Sequence, residues 1–279
     1  MPLDTLKIAS TQESPSSVTR ALRILRVMSE GSSLRLTDIA SGTGLDKATA
    51  LRLLENLANE GFVQRNPSNK QFSLGHEFML LGAAALKRFD PRPAVRPSMM
   101  RLVGQFEDSV VLSIPAGLES ACIDIEEGSY PIRANYLRIG SRRTLGVGAG
   151  SLALLAWLPK DEREAAFEAL QRTWHSKHNI EPTLLHACVD RAHERGYAVL
   201  LDVVVPRMGG IAVPIFDQDG RAVAALSIPA LSDRIQTREK ELGQALIRES
   251  LKCQVRWSEA IHLSEKSSES KTRTKAVYR

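Results

Sequence analysis

The sequence predicts an α+β fold in two parts: an N-terminal winged helix-turn-helix, then a larger domain in which an antiparallel sheet is flanked by helices. Two patterns carry this expectation. Residues 36–74 run helix, glycine turn, helix, hairpin, which is the outline of a winged helix-turn-helix. Beyond residue 109, short apolar runs bounded by turn residues mix with helical periodicities, and two of the runs are joined only by Asp217-Gln218-Asp219-Gly220. So short a connection forces an antiparallel pair and argues against a doubly wound parallel sheet.

Each N-terminal element has its own physical basis. Ser16 and Ser17 precede a first helix in which Val18, Leu22, Leu25 and Met28 recur at helical spacing, with Arg20, Arg23 and Arg26 off that stripe and Gly31 closing it. Thr37 is placed to cap a second, short helix, Asp38 suits its positive end, Ile39 and Ala40 supply its buried side, and Gly42 and Gly44 stop it. Asp46 is the next cap candidate. It opens a helix over residues 47–60 whose Ala50, Leu51, Leu54, Leu57 and Ala58 share one stripe, leaving Thr49, Arg52 and Asn56 opposite. A helix that enters the major groove needs cationic and hydrogen-bonding side chains on its outer face near its start, and Lys47 in the first turn is placed for a phosphate. Gly61 ends the helix. The runs Phe62–Arg65 and Lys70–Leu74, joined by Asn66-Pro67-Ser68-Asn69, read as a wing with Phe72 and Leu74 toward one side. Double-stranded DNA is the partner implied, with Arg20, Thr37, Lys47, Thr49, Arg52, Asn56, Arg65 and Lys70 as candidate contacts.

The whole chain sets bounds on this reading. Its 279 residues allow about two domains. The apolar runs at 78–86 and 152–158 are far shorter than the ~20 residues that span a bilayer, so no membrane partner is expected. The polar N-terminus carries Asp4 and no apolar core of a signal peptide, and Cys122, Cys188 and Cys253 form no disulfide pattern, so a cytoplasmic location is expected. The net charge of +5 is unevenly spread: residues 1–90 hold a surplus of two, residues 264–279 a surplus of three, and the rest is neutral. That suits a neutral sensor with a local DNA surface better than a polycationic coat. The expected divisions are a disordered tail at 1–15, the DNA-binding domain at 16–74, a linker helix at 75–90, the sensor domain at 91–263 and a basic disordered tail at 264–279. Phe78, Met79, Leu81 and Leu86 make the linker too apolar for a solvated helix, so it should pack on its own second domain or on a partner chain.

In the second domain, strands are expected at Ser109–Ile114, Ala121–Ile125, Ile132–Leu137, Tyr197–Val205, Ile211–Phe216 and Ala222–Ile228. Helices are expected at about 150–158, 161–172 and 183–195, with a last one from Thr237 to His262 carrying Ile247, Leu251 and Val255 along one side. Two glycine-rich stretches, Gly146-Val147-Gly148-Ala149-Gly150-Ser151 and Met208-Gly209-Gly210, draw attention. The first offers free N–H groups at a helix start, a seat for a carboxylate or phosphate, but its spacing fails as a dinucleotide fingerprint. That these glycines serve only close packing stays open. His175 and His178 stand three apart, and His186, Asp190 and His193 share a helix face beside the apolar Leu185, Val189 and Ala192, as a solvated face would. No metal, cofactor or catalytic residue is assigned, and no GxSxG elbow is present.

The segments SVTRALRILRVMSE, LTDIASGTGLDKATALRLLENLANEGFVQR, FSLGHEFMLLG, LALLAWLP and RGYAVLLDVVVPRMGGIAVPIFDQDGRAVAALSIPALSDRI together resemble the IclR family of bacterial transcriptional regulators over roughly residues 16–260. The resemblance implies a GAF-like effector domain, action as homodimers or tetramers on an operator, and a small-molecule effector that is commonly an organic acid. It places the effector pocket at Gly148, Ala149, Gly150, Met208, Gly209, Gly210 and Ser227. This chain departs from the common pattern, with Ser151-Leu152 where Gly-Lys is frequent, Gly210 where Cys is frequent and Arg207 where Gly is usual, so effector identity does not carry over. Arg207 itself is a candidate partner for an anion or a surface residue. The rival classes are a ligand-binding enzyme and a protein-interaction module, each with a vestigial winged helix.

Overall fold

Asp46 fixes the start of the helix around which the first unit is built: its carboxylate accepts the Thr49 N–H at 2.9 Å, a cap that satisfies one of the orphan donors of a helix start. The structure, a computed structural model, describes residues 15–256 except 30, 32–33, 87–89 and 133–136. The chain divides into two units between residues 87 and 88. The first holds α1 (Ser17–Ser29), α2 (Leu36–Thr43), α3 (Lys47–Asn59), β1 (Val63–Arg65), β2 (Phe72–Leu74) and α4 (Glu77–Leu86). Its core joins Ile24, Met28, Ile39, Leu53, Leu54, Val63 and Phe72.

Several expectations need correction here. In α1, Ile24 and Met28 are buried while Val18 and Leu22 are exposed, because the helix turns its Ala21–Ile24–Met28 stripe inward. Thr37 caps nothing. Arg35 occupies the cap position, the Asp38 carboxylate accepts the Arg35 N–H at 3.0 Å, and Thr37 lies inside the first turn. Gly42 is helical, and Gly44, with φ +69°, makes the turn. In the wing Phe72 is buried but Leu74 is exposed. A β-bridge from Leu34 to Phe72 adds a third edge to the hairpin. At the start of α4, a side chain on Gly75 would collide with the carbonyl of Gly61, and Phe62 meets Phe78 edge-on at 5.3 Å between ring centres.

The second unit is a six-stranded antiparallel sheet in the order β5-β4-β3-β8-β7-β6. The strands are β3 (Val110–Ala116), β4 (Glu119–Glu126), β5 (Arg142–Thr144), β6 (Ala198–Leu201), β7 (Met208–Phe216) and β8 (Ala222–Leu231). The helices are α5 (Arg92–Phe106), α6 (Ala149–Ala156), α7 (Lys160–His178), α8 (Pro182–Arg195) and α9 (Ser232–Thr237), followed by α10, residues 239–256. Period-2 alternation sends β7 and β8 side chains to two different cores. Ile211, Val213, Ile215, Leu226 and Ile228 join α5 and α10, whereas the small Ala212 and Ala225 face α6 and α8.

The sheet differs from expectation at three places. The strand expected at 132–137 falls largely on residues outside those described, and β5 takes the edge position. The strand expected to reach Val205 stops at Leu201, because Asp202 adopts φ +59° and its carboxylate closes a turn by accepting the Arg207 N–H at 2.7 Å and the Ser232 hydroxyl at 2.8 Å. Met208-Gly209-Gly210 lies within β7, paired to β6 and β8, and does not form a loop. Helix α7 runs on to His178, anchored by the fully buried Trp174, whose Nε1 donates to the Leu145 carbonyl at 2.7 Å.

The last helix is two elements, and the expected end at His262 lies outside the described residues. Its inward side is Leu242, Ala245, Leu246 and Cys253, with Leu251 and Val255 exposed. Buried Glu249 and Ser250 interrupt that stripe in the sequence, each with a partner: Arg101 for Glu249, the Pro214 carbonyl for Ser250. The expected tails at 1–15 and 264–279 also lie largely or wholly outside the described residues.

Burial alone would raise the Glu249 carboxyl, but hydrogen bonds from Arg101, then Lys252 and Ser98, outweigh it and hold it at about 2. A carboxylate held below its ordinary 4.5 stabilises the fold above that pH and loses the contribution as pH falls from 4.5 toward 2. Glu249→Gln is expected to lower Tm at neutral pH and to flatten the acid decline of Tm in that window. A parallel decline in wild type and variant would show that other carboxylates set the acid limb.

Candidate nucleic-acid interface and sensor pocket

Helix α3 turns its apolar stripe inward, with Ala50, Leu53 and Leu54 buried, and this orients its opposite face. Lys47, Arg52 and Asn56 are exposed on that face and Thr49 is half-buried beside them. Ala48 is exposed in the same first turn, a position the hydrophobic stripe leaves outward, and its methyl suits the thymine methyl rather than a hydrogen bond. Glu55 is the acidic residue on this surface. In the wing, Arg65 and Lys70 are both exposed, and the Arg65 guanidinium lies 5.3 Å from the Phe72 ring centre. The turn is held by Asn66, whose side chain accepts the Ser68 N–H and whose carbonyl accepts the Lys70 N–H, both at 2.9 Å. Arg20 is half-buried on α1, and Thr37 is exposed in the first turn of α2.

In the second unit, the chain leaves β5 and passes through Gly148 at φ +103° into α6, a conformation that favours glycine. The first turn of α6 then lies against the sheet. A Cβ on Gly150 would stand 3.2 Å from Ser227 Oγ, and one on Gly210 would stand 3.0 Å from the Ala149 Cβ. Beside this contact is an open cavity. All seven residues expected at the effector pocket, Gly148 to Gly150, Met208 to Gly210 and Ser227, line it.

Ser113, Ser120 and Arg143, not expected from the sequence, line the same cavity. Alternation along β3 held the signal for the first: Val110 and Leu112 belong to the α5 core, so Val111 and Ser113 face the other way. Arg143 is the one charged residue among the described residues lining the cavity. Arg207 is exposed at the turn before β7, outside the lining.

The remaining reactive side chains have other occupations. His175 pairs with Glu181 at 3.0 Å, His178 with the Thr144 hydroxyl at 3.3 Å, His186 stacks on Phe167, and His193 Nε2 donates to the Ala156 carbonyl at 2.7 Å. All three cysteines are free and buried, and burial pushes the Cys122 thiol up to about 11.

A winged helix-turn-helix with a polar, cationic outer helix face, carried with a glycine- and serine-lined cavity in a separate unit, is the arrangement of a ligand-responsive DNA-binding regulator. The chain belongs to the IclR family of transcriptional regulators. The model of the IclR helix-turn-helix domain matches residues 17–67 and that of the bacterial transcriptional regulator IclR C-terminal domain matches residues 83–254. The chain is 30% identical to the HTH-type transcriptional regulator XynR of Escherichia coli over 80% of its length and 89% of the relative's. It is 28% identical to KipR of Bacillus subtilis over the same shares. Both relatives are named as regulators of transcription, the class to which this chain's family belongs. Its fold is that of an IclR regulator from Alicyclobacillus acidocaldarius (TM-score 0.71, 23% identity, 88% of this chain and 100% of that one). An IclR homologue from Microbacterium hydrocarbonoxydans, solved with 4-hydroxybenzoate, is similarly close (TM-score 0.69, 21% identity, 87% and 99%).

Gly210→Val would drive a branched side chain into Ala149. Overpacking of this kind costs about 1–3 kcal/mol, and urea denaturation of the second unit is expected to show a loss of that order. An unchanged midpoint would mean that α6 can retreat freely from the sheet.

Proposed function

We propose that the chain works in the cytoplasm as a homodimer, or a pair of dimers, on a palindromic operator, and that a small acidic metabolite modulates it. The observation that carries the DNA part is the outer face of α3, where Lys47, Arg52 and Asn56 stand exposed with Thr49 half-buried beside them. In this reading Arg52, Asn56 and Thr49 meet base edges, Lys47 the adjacent phosphate, and Arg65 and Lys70 the backbone flanking the groove, with Arg20 and Thr37 as further phosphate contacts. Residues 16–74 form the DNA-binding domain, 75–90 the linker and 91–263 the sensor.

The exposed apolar side of α4 supports pairing. Met79 and Leu80 are 76% and 60% exposed, and Leu81 and Leu86 are exposed with them. A second copy of the chain related by a two-fold axis covers such a face and places two recognition helices about one turn of DNA apart, or a multiple of that. An acid as effector is supported by Arg143 together with the start of α6, and by the acid bound to the Microbacterium homologue. The metabolite acts through different affinities for DNA-competent and DNA-incompetent states.

Protection of the chain's own upstream intergenic DNA, titrated across salt, tests this. The expected result is a discrete, symmetric footprint whose affinity falls steeply with salt, as phosphate neutralisation requires. Diffuse or absent protection counts against it. Arg52→Ala is expected to abolish the footprint while thermal unfolding stays as in wild type; unchanged operator affinity would remove Arg52 from the interface.

A further inference from the structure

We infer that the pocket selects hydroxylated small carboxylates, with Arg143 and the first turn of α6 receiving the carboxylate and Ser113 and Ser120 receiving hydroxyl groups. The inference rests on the effector reading above and narrows it from acids in general to acids that carry hydroxyls.

Ser113 and Ser120 are only 8% and 5% exposed, and both line the cavity. Neither hydroxyl has a hydrogen-bond partner within the protein among the described residues, whereas the neighbouring Ser151 hydroxyl donates to the Gly148 carbonyl at 2.9 Å. No fully enclosed side-chain polar atom lacks a partner among the described residues, so the two open hydroxyls reach the cavity. Buried hydroxyls of this kind are satisfied by water or by a ligand group that replaces it.

Their position relative to the cation is equally informative. At Gly150, a Cβ would lie 3.9 Å from Ser113 Oγ and 3.2 Å from Ser227 Oγ, so both hydroxyls converge on the first turn of α6. At Gly148, two residues earlier, the corresponding point lies 3.7 Å from the Arg143 guanidinium. No acidic residue lines the cavity among those described. One end of the pocket thus places a guanidinium and helix-start N–H groups where an anion can join them, while the sheet beside it presents hydroxyls that lack protein partners among the described residues. An acid with a bare hydrocarbon body displaces water from Ser113 and Ser120 and returns nothing, which a site built for hydroxyls discriminates against strongly.

Calorimetric titration of the full-length chain with glycerate against propionate, and with gluconate against hexanoate and the neutral gluconamide, tests the inference. At matched carbon number the hydroxylated acid is expected to bind at least about tenfold more tightly. The double variant Ser113→Ala/Ser120→Ala should erase that preference while leaving any binding of propionate or hexanoate in place. Arg143→Gln should weaken the acids by about tenfold or more and leave the amide unaffected. Equal binding of hydroxylated and plain acids, or of gluconate and gluconamide, overturns the inference. So does binding of none of them, and a retained operator footprint would then show that the DNA reading stands while the pocket assignment fails.

Discussion

The sensor unit depends on a close approach between a helix start and a sheet. Positions 150 and 210 carry no side chain, so the first turn of α6 comes to within van der Waals reach of β7 and β8, and Gly148 supplies the left-handed step that turns the chain into the helix. A side chain at either contact would crowd Ser227 or Ala149, and the neighbour would have to give by a few tenths of an ångström. The cavity would change with it, since the same turn is one of its walls.

The sheet makes that approach possible through an uneven use of its two faces. Large β-branched and leucine side chains from β7 and β8 fill the layer beneath α5 and α10, and glycine, alanine and serine occupy the face beneath α6. Apolar burial stabilises both faces, and only beneath the first turn of α6 do the small residues leave the sheet shallow. The buried charges are kept on the periphery and paired. Asp108 is held by Arg234 and Arg238, with Arg234 stacked 3.5 Å from the Tyr130 ring centre, and Asp124 is held by Arg96. Each carboxylate thus meets its cation without crossing the cavity.

Periodicity and turn chemistry made most of the architecture legible. The α2–α3 turn at Gly44, the Asp46 cap and the hairpin at residues 217–220 could all be read from local residue types, because each rests on a local backbone requirement, whereas the pocket residues came from the family resemblance alone. What failed was whatever depends on which of two plausible faces turns inward. In α1 both the Val18 and the Ile24 stripes are apolar, and only packing against α2 and α3 decides between them. In α10 the buried face hides behind Glu249 and Ser250, whose partners Arg101 and Pro214 lie far away in sequence. Arg143 escaped for the same reason: a basic residue in a short edge strand reads as solvent-facing until the cavity beside it is known. The Asp202 turn was missed because a single carboxylate, bonded across to Ser232, ends a strand that its β-branched residues would continue.

Helix α4 has ten residues and no fully buried side chain, and its edge contact between Phe78 and Phe62 secures only the first turn. Isolated helices shorter than about 12–15 residues are marginal in water, so the rest of α4 gains stability from whatever covers its exposed apolar side. Folding of this segment, its coverage and the rigidity of whatever it carries are then one coupled equilibrium. Under the pairing proposed above, dilution would loosen the helix, and an event that releases its apolar side would be transmitted as melting rather than as rigid-body movement.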